Sequence, residues 1–536
     1  MARIMRGQPR YDPAALAAYQ PPEAMLALPV RPIAAGGENK TFPLSALPNG
    51  SGRLVQNLAL RYGAYQTRDG TSVIGGIAAN KLVAAIEVVT SDGQTHLTRY
   101  DTGAVQVFVA GDWADTSGDT WSCSYTSPFA FTGWVDTVLF SSGGSLFSMD
   151  FSVGFPKTIV ADAPTGIKHL ATFAGRIVAS LANQIQWTVR DDYTDWSGLG
   201  SGYEDIRSAP GGRPDSQTAV VPVSDEVAYV VRSNSFWQMS QTGNFDSPFA
   251  LSLIWSGAGS KWPQTVAQIP QGLICLGTGQ IWMLTAGQGL QDIGQAIASD
   301  LLIADGSLQQ AVGMYDPKWN EYRLTLPSPG SGSTKVLRFN LSTQIWTKDL
   351  YPFPIRNMAP TLFAQNISID ELLGSIDDLQ GTIDSLSIGA RQSNVVYAMG
   401  DNGRYVVQDR AANNNLPMRD VNLAGAAAAS GFRVETGDAV LNDPMRRKEC
   451  IQLQMSYQAG AEFTATFEYS YDGGQTWNFL SSQTLPAANR PTWISVDRSL
   501  ERESIQFAVS TDATPTVRLI DLVAFMREAG MVQDAR

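Results

Sequence analysis

At 536 residues the chain has room for two or three domains and an ample core. Charged residues make up only 16% and apolar residues 44%, with 49 Gly, so the composition is that of a turn-rich globular β protein and excludes a disordered chain. The formal net charge of −12 argues against a surface that grips duplex DNA, which needs clustered Lys and Arg; it suits a wall past which DNA slides without sticking.

The basic N-terminus, Met1 to Arg10, is not followed by an apolar run of seven residues, so no secretory signal is expected, and no 18-residue apolar run offers a membrane span. Cys123, Cys275 and Cys450 are odd in number and widely spaced, which indicates neither a disulfide framework nor a CxxC metal knuckle. With His96 and His169 the only histidines, imidazole catalysis or zinc ligation has little to work with.

Taken in chain order, residues 1–52 are rich in Pro and Ala and read as an extended arm lying on its own chain or a neighbour. Strand patterns then follow at Ala85–Val89, His96–Tyr100 and Val105–Val109, joined by Ser91-Asp-Gly93 and Asp101-Thr-Gly103. A second meander holds Val138–Phe140 and Ser145–Phe147. From Gly175 to Trp346 one hairpin pattern recurs: Arg176–Trp187, Val227–Trp237, Leu273–Trp282 and Val336–Trp346, each two apolar runs around a polar turn with an aromatic in the second. Recurrence every 40 to 50 residues or so signals a propeller or similar array, because one small sheet cannot bury its face alone. The hairpin Val395–Val407 closes the set, giving six or seven blades over residues 53–410, with an inserted loop region near 360–390.

That insert contains a period-seven repeat, Ser368-Ile-Asp-Glu-Leu-Leu-Gly374, Ser375-Ile-Asp-Asp-Leu-Gln-Gly381 and Thr382-Ile-Asp-Ser-Leu386. Gly at every seventh position weakens a coiled-coil reading and favours consecutive Asp-capped turns, with a calcium site from Asp370, Asp377 and Asp384 as the alternative. Residues 411–430, with Asn413-Asn-Asn415 and Gly425-Ala-Ala-Ala-Ala429, mark a linker. Period-two alternation over 431–536 is the pattern of a β-sandwich. The fold expected is therefore all-β: a propeller of six or seven blades followed by a C-terminal sandwich.

The most specific local motif is Ser470-Tyr-Asp-Gly-Gly-Gln-Thr-Trp477, which has Asp-box spacing. With Ser470, Asp472, Gly474, Thr476 and Trp477 at the motif positions, it reads as a structural turn in which the Asp472 side chain caps a tight turn, Gly474 supplies φ > 0 and Trp477 seals the hairpin. Asp191, Asp192 and Asp195 place three carboxylates together, as a glycosidase pair or metal site would, but their position just after Gln184–Trp187 makes them a blade-edge turn. No catalytic, cofactor-binding or metal-binding residue is assigned.

Several stretches, Gly198–Asp205, Ser208–Asp215, Arg232–Gly243, Tyr315–Tyr322 and Trp346–Ile355, together with the terminal domain carrying Glu435-Thr-Gly437 and the Asp box, resemble the tail nozzle, or tail hub, proteins of short-tailed bacteriophages. The similarity runs from about Arg53 to the end and rests on the order and style of motifs. It implies a virion structural protein, made in the host cytoplasm, that assembles as a homohexameric ring below the portal and adaptor. The ring would pass genomic DNA without specific binding and carry tail fibres or tailspikes. Two other readings compete: a propeller glycan hydrolase, which needs a central acid pair or an Arg cluster, and a sugar-binding adhesin acting through the terminal sandwich.

Overall fold

The computed structural model describes residues 25–28, 38–40, 52–61, 64–68, 70–205, 214–287, 289–303, 305–327, 332–361, 364–365, 391–392, 395–399, 403–409, 419–421, 427–429, 431–436, 446–472, 474–502, 505–512 and 517–531. The chain is almost all β. Period-two runs become strands wherever turn residues let the chain reverse. Leu82–Val89 pairs antiparallel with Thr95–Asp101 across a turn where Gly93 sits at φ 81°, a region that a residue without Cβ enters freely. Thr95–Asp101 then pairs with Val105–Val109, and Asp101 closes that turn by accepting the Gly103 and Ala104 amides on Oδ1. Asp112–Asp115 adds the fourth strand. We term this meander sheet 1.

The same four-stranded order returns in sheet 2 (130–159), sheet 3 (169–205), sheet 4 (217–256) and sheet 5 (267–292). Sheet 6 (313–351) has four strands in sequence order too, but its last strand, Ile345–Tyr351, continues into further strands described below. Sheet 7 is composite: Ile355–Pro360, Val395–Met399 and Arg404–Asp409 are completed by Gly70–Val73, which comes from before sheet 1 and pairs antiparallel through Val406↔Val73.

Each sheet buries one face on the next. Leu97 and Val107 share a core with Phe140 and Met149 between sheets 1 and 2. Leu139 meets Ile177 between sheets 2 and 3, and Phe173 meets Val230 between 3 and 4. Val231 and Phe236 pack with Leu273 and Cys275, Ile281 with Phe339 and Trp346, and Met314 with Met358 and Val406. Ala359 of sheet 7 returns to the core of sheet 1, where Asn357 Oδ1 also accepts the Ala85 amide at 3.1 Å. At about 1.5–3 kcal/mol for each buried aliphatic or aromatic side chain, these inter-sheet cores hold the propeller-like arrangement.

The C-terminal part consists of two sheets that share one core. In the first, Gly52–Gln56, Arg433–Thr436, Gln506–Ser510, Phe463–Ser470 and Asn478–Leu485 lie side by side. In the second, Leu58–Arg61, Ala64–Thr67, Val517–Met531, Arg446–Ala459 and Ala488–Arg502 do so, with Met25–Leu28 pairing onto Val517–Met531. Val434, Phe467 and Phe507 from one meet Leu453, Tyr457 and Leu519 from the other. Gly52–Gln56 also lies parallel to Ile345–Tyr351 through Gln56↔Lys348, so sheet 6 and the first C-terminal sheet form one nine-stranded sheet.

Two boundaries differ from the sequence expectation. Residues 52–67 do not open the propeller-like part: Val55, Leu58 and Tyr65 are buried in the C-terminal core, where their alternating apolar faces complete both sheets. Within the expected linker, Arg419–Val421 pairs with Ala427–Ala429. Of the expected arm, Met25–Leu28, residues 38–40 and Gly52 are described. The heptad insert, with Asp370, Asp377 and Asp384, lies outside the described residues, although the Ala364–Gln365 and Arg391–Gln392 strands on either side of it pair.

Candidate functional site

The residues that lead into the innermost strands of four sheets converge on one cavity of about 520 Å³: Thr126 and Pro128 before sheet 2, Lys168 before sheet 3, Lys261 to Gln264 before sheet 5, and Gln309 and Ala311 before sheet 6. Local sequence fixes several of these. Pro263 opens a 3-10 turn, Pro263–Thr265, at the position where its missing N–H costs nothing. The Thr265 amide and hydroxyl both donate to the Trp262 carbonyl, and Tyr322 Oη holds the Thr265 carbonyl at 2.8 Å. Lys168 is pinned by its own amide on Ser180 O, and its Nζ reaches Gln217 O of sheet 4 at 3.3 Å.

Arg356, the second residue of the innermost strand of sheet 7, crosses to this same mouth. Its guanidinium donates to the carbonyls of Tyr125 and Ser127 between sheets 1 and 2, and to Gln264 Oε1 at the entry to sheet 5. The Tyr125 ring lies 5.5 Å from the Arg356 guanidinium carbon and 5.0 Å from Lys81 Nζ. Arg356 is 2% exposed, and burial lowers its pKa from the ordinary arginine value. Sheets 1, 2, 5 and 7 are thereby tied across the axis by a side chain that donates to neutral oxygens.

A second concentration of buried charge joins sheet 6 to the C-terminal part. Asp349, fully buried, lies 3.0 Å from Arg338 Nη2 and 3.8 Å from Arg68 Nε. Arg323 pairs with Asp316 and lies 3.7 Å from Glu321. Arg338 also donates to Leu58 O, and Arg68 donates to Leu350 O and stacks 4.1 Å over the Tyr351 ring. Burial raises the Asp349 pKa, against the opposing pull of Arg338 and Arg68. Beside this group, Asn57 takes φ 58°, a left-handed conformation that Asn tolerates better than most residues. Its Oδ1 accepts Leu350 N and its Nδ2 donates to Gly431 O at 2.6 Å. Glu38 and Lys40 clamp the arm beneath: Lys40 meets Glu38 at 2.9 Å and Asp300 at 2.5 Å, Lys335 meets Asp300 at 2.6 Å and Lys348 meets Glu38 at 3.2 Å.

The residues singled out from sequence lie elsewhere. In the Asp box, Ser470 Oγ donates to Asp472 Oδ1 at 2.7 Å and accepts Gly474 N at 2.9 Å. Asp472 Oδ1 takes the Gln475 and Thr476 amides, and its Oδ2 takes the Thr476 hydroxyl. The Thr476 bonds, with Ser470, hold Asp472 well below the usual carboxylate range. Gly474 has φ 74°, and an added Cβ would fall 2.7 Å from Arg53. The Arg433 guanidinium lies 5.1 Å from the Trp477 ring centre while pairing with Glu435 and Glu468. Asp192 accepts the Thr194 amide and hydroxyl, and Asp195 accepts the Ser197 and Gly198 amides, so these two carboxylates cap their own loop. His169 is kept neutral by burial, with its pKa pushed down to about 4. No group of three His, Cys, Asp or Glu side chains among the described residues is arranged to hold a metal ion. Sequence reasoning passed over Arg356, Lys168, Lys261 and Gln264, which stand before or within the first strands of sheets 7, 3 and 5 and form no local motif.

No family model matches the chain, and no curated protein matches it. Among solved structures it is similar to the computationally designed Ika8 protein, at 10% identity over 70% of this chain and 99% of that one with a TM-score of 0.33. A quinonprotein alcohol dehydrogenase-like protein from Bacteroides thetaiotaomicron is similar at 9% identity, covering 51% and 67%, with a TM-score of 0.30. The extracellular domain of a hybrid two component system from B. thetaiotaomicron is similar at 8% identity, covering 68% and 46%, with a TM-score of 0.37. The strand order and shared cores described above carry the fold.

Proposed function

We propose that the chain is a structural subunit of a bacteriophage tail, a nozzle protomer that assembles as a six-fold ring below the portal and adaptor. In this reading the seven four-stranded sheets are blades of one closed propeller, sealed by Gly70–Val73, and the two C-terminal sheets are a β-sandwich. The observation that carries it is the continuous nine-stranded sheet, backed by the buried Arg68, Arg338 and Asp349 group. Together they make the two parts a stiff strut rather than two modules on a tether, which is what a load-bearing ring subunit needs. The motifs from Gly198 to Ile355 and in the terminal domain add the resemblance to nozzle proteins.

The path for DNA is the lumen between copies. The axis of a single propeller is crossed by Arg356, Tyr125 and Gln264, so it offers no passage of duplex width. The net charge of −12 suits a lumen wall, because like charge keeps DNA from adhering within a Debye length of about 8 Å. Tail fibres or tailspikes attach to the flank of such a ring, and the adaptor to its upper rim. Among the described residues no helix is long and apolar enough to cross a membrane.

Electron microscopy of the purified full chain, with mass photometry, tests the reading. Closed rings of about six copies with an open lumen support it. A monomer at every concentration, or absence of the chain from purified tails probed with a specific antibody, would overturn it.

A further inference from the structure

The cavity at the axial mouth carries chemistry that a nozzle subunit does not require. In a chain of net charge −12 it is lined by Lys168 and Lys261 and, among the described residues, by no Asp or Glu. Arg356 beneath it is held by carbonyl and amide oxygens, so its positive charge is not cancelled by a carboxylate in its own hydrogen bonds. Lys81 Nζ lies 5.0 Å from the centre of the same Tyr125 ring.

The second observation concerns Gln264. Its Oε1 is committed to Arg356 Nη1 at 2.9 Å, which fixes the amide orientation. Its Nε2 is buried and finds no hydrogen-bond partner among the described residues, although Gln264 lines the cavity. A buried donor left without an acceptor costs about 1–3 kcal/mol, and because this nitrogen is closed off from solvent, an acceptor seated in the cavity removes that cost only once the Gln264 amide turns towards it. The remaining lining is Thr126, Pro128, Trp262, Pro263, Gln309 and Ala311, with the half-buried Trp262 also packed against the core between sheets 5 and 6. A sugar ring has one apolar C–H face to lay on an aromatic side chain and hydroxyls spread round its edge. A volume of about 520 Å³ admits a ligand of one or two sugar rings.

We infer that the axial mouth is a binding site for a carboxylate-bearing saccharide unit, whose acid group sits between Lys168 and Lys261 and whose hydroxyls take the donors of Gln264, Gln309 and Thr126. The site stands independently of the tail assignment. It lies in the propeller-like part rather than the C-terminal sheets, and among the described residues no carboxylate lines it to act as acid or base.

Titration calorimetry and saturation-transfer NMR on the full chain, with glucuronic acid, glucose, inorganic phosphate and adenosine monophosphate as probes, test this. Glucuronic acid should bind at least about tenfold more tightly than glucose and than phosphate. Lys261→Gln should weaken glucuronic acid about tenfold and leave the weak glucose signal unchanged. Lys261 is exposed, so this variant keeps the fold. Arg490→Gln, which removes the same charge from the exposed surface of the C-terminal part, should leave all four probes unchanged. Equal affinity for glucose and glucuronic acid, equal affinity for phosphate, tighter binding of the nucleotide, or no binding up to about 50 mM would each overturn the assignment.

Discussion

Two sets of buried arginines meet the same desolvation problem in opposite ways. At the junction of sheet 6 with the C-terminal part, Arg68, Arg323 and Arg338 face Asp349, Asp316 and Glu321, and the local charge is nearly balanced. At the axial mouth Arg356 is enclosed by neutral oxygens, and the lysines nearby deepen the imbalance. The first arrangement is a fastener: opposite charges fixed in low dielectric specify how two parts meet, whatever their net contribution to stability. The second leaves a standing positive potential beside a cavity, which is the electrostatic condition for holding an acidic ligand.

Removing one member of each set should separate the two cases. Asp349→Ala strands Arg338 and Arg68 without their carboxylate at a fully buried position, and a loss of about 3–5 kcal/mol is expected in denaturant unfolding. If the group serves mainly to specify the junction, pairing Asp349→Leu with Arg338→Met recovers the part of that loss owed to Arg338, because that arginine is no longer stranded while Arg68 keeps its bonds to Asn57 Oδ1 and Leu350 O. Failure of the double variant to recover would show that the ion pairs themselves hold the two parts together.

Arg356→Met should cost less, about 2–3 kcal/mol, because it leaves the Tyr125 and Ser127 carbonyls and Gln264 without a donor but strands no charge. A loss as large as that of Asp349→Ala would mean that an unseen anionic partner compensates Arg356, and the contrast between the two regions would collapse.

Much of the architecture was legible in the chain, and the parts that were not escaped for physical reasons. The returning hairpins at Arg176, Val227 and Leu273 are the second and third strands of sheets 3, 4 and 5, with Trp187, Trp237 and Trp282 each in the third strand after a polar turn. The fourth copy, ending in Trp346, occupies the third and fourth strands of sheet 6, a register that local pattern does not encode. The membership of 52–67 in the C-terminal core was hidden because an alternating strand shows which face is buried but not against what. The axial site was hidden for the same reason: Lys168, Lys261 and Arg356 are far apart in sequence and meet only once the sheets close into order.

The clamp on the arm gives a pH test of the paired arrangement. Burial alone would raise the Asp300 carboxyl, but Lys348, Lys40 and Lys335 outweigh it and hold the pKa at about 2. A carboxyl whose folded pKa lies below its unfolded value near 3.9 stabilises the fold above that value, and the contribution fades as pH falls from about 4 to 2. Wild type should therefore exceed Asp300→Asn by about 2 kcal/mol near pH 7 and converge with it near pH 2. A constant gap across that range would mean the lysines hold Asp300 by packing rather than by charge.

The Asp box supplies the smallest effect and the control for both regions. Asp472 is exposed, and its two oxygens accept the Gln475 and Thr476 amides and the Thr476 hydroxyl, so its work is confined to one hairpin turn. Asp472→Ala should speed hydrogen exchange of the Gln475 and Thr476 amides by about tenfold or more, since both lose their acceptor. Exchange in Leu453, Phe467 and Phe507, deep in the core of the same sheets, should stay as it was. Because the carboxyl is held well below the usual range, chiefly by the Thr476 bonds, the wild-type turn should keep its protection down to pH values at which an ordinary aspartate has already protonated. Loss of protection that spread from the turn into that core would show that the box fastens the two C-terminal sheets together, making it a junction element akin to Asp349 rather than a local cap.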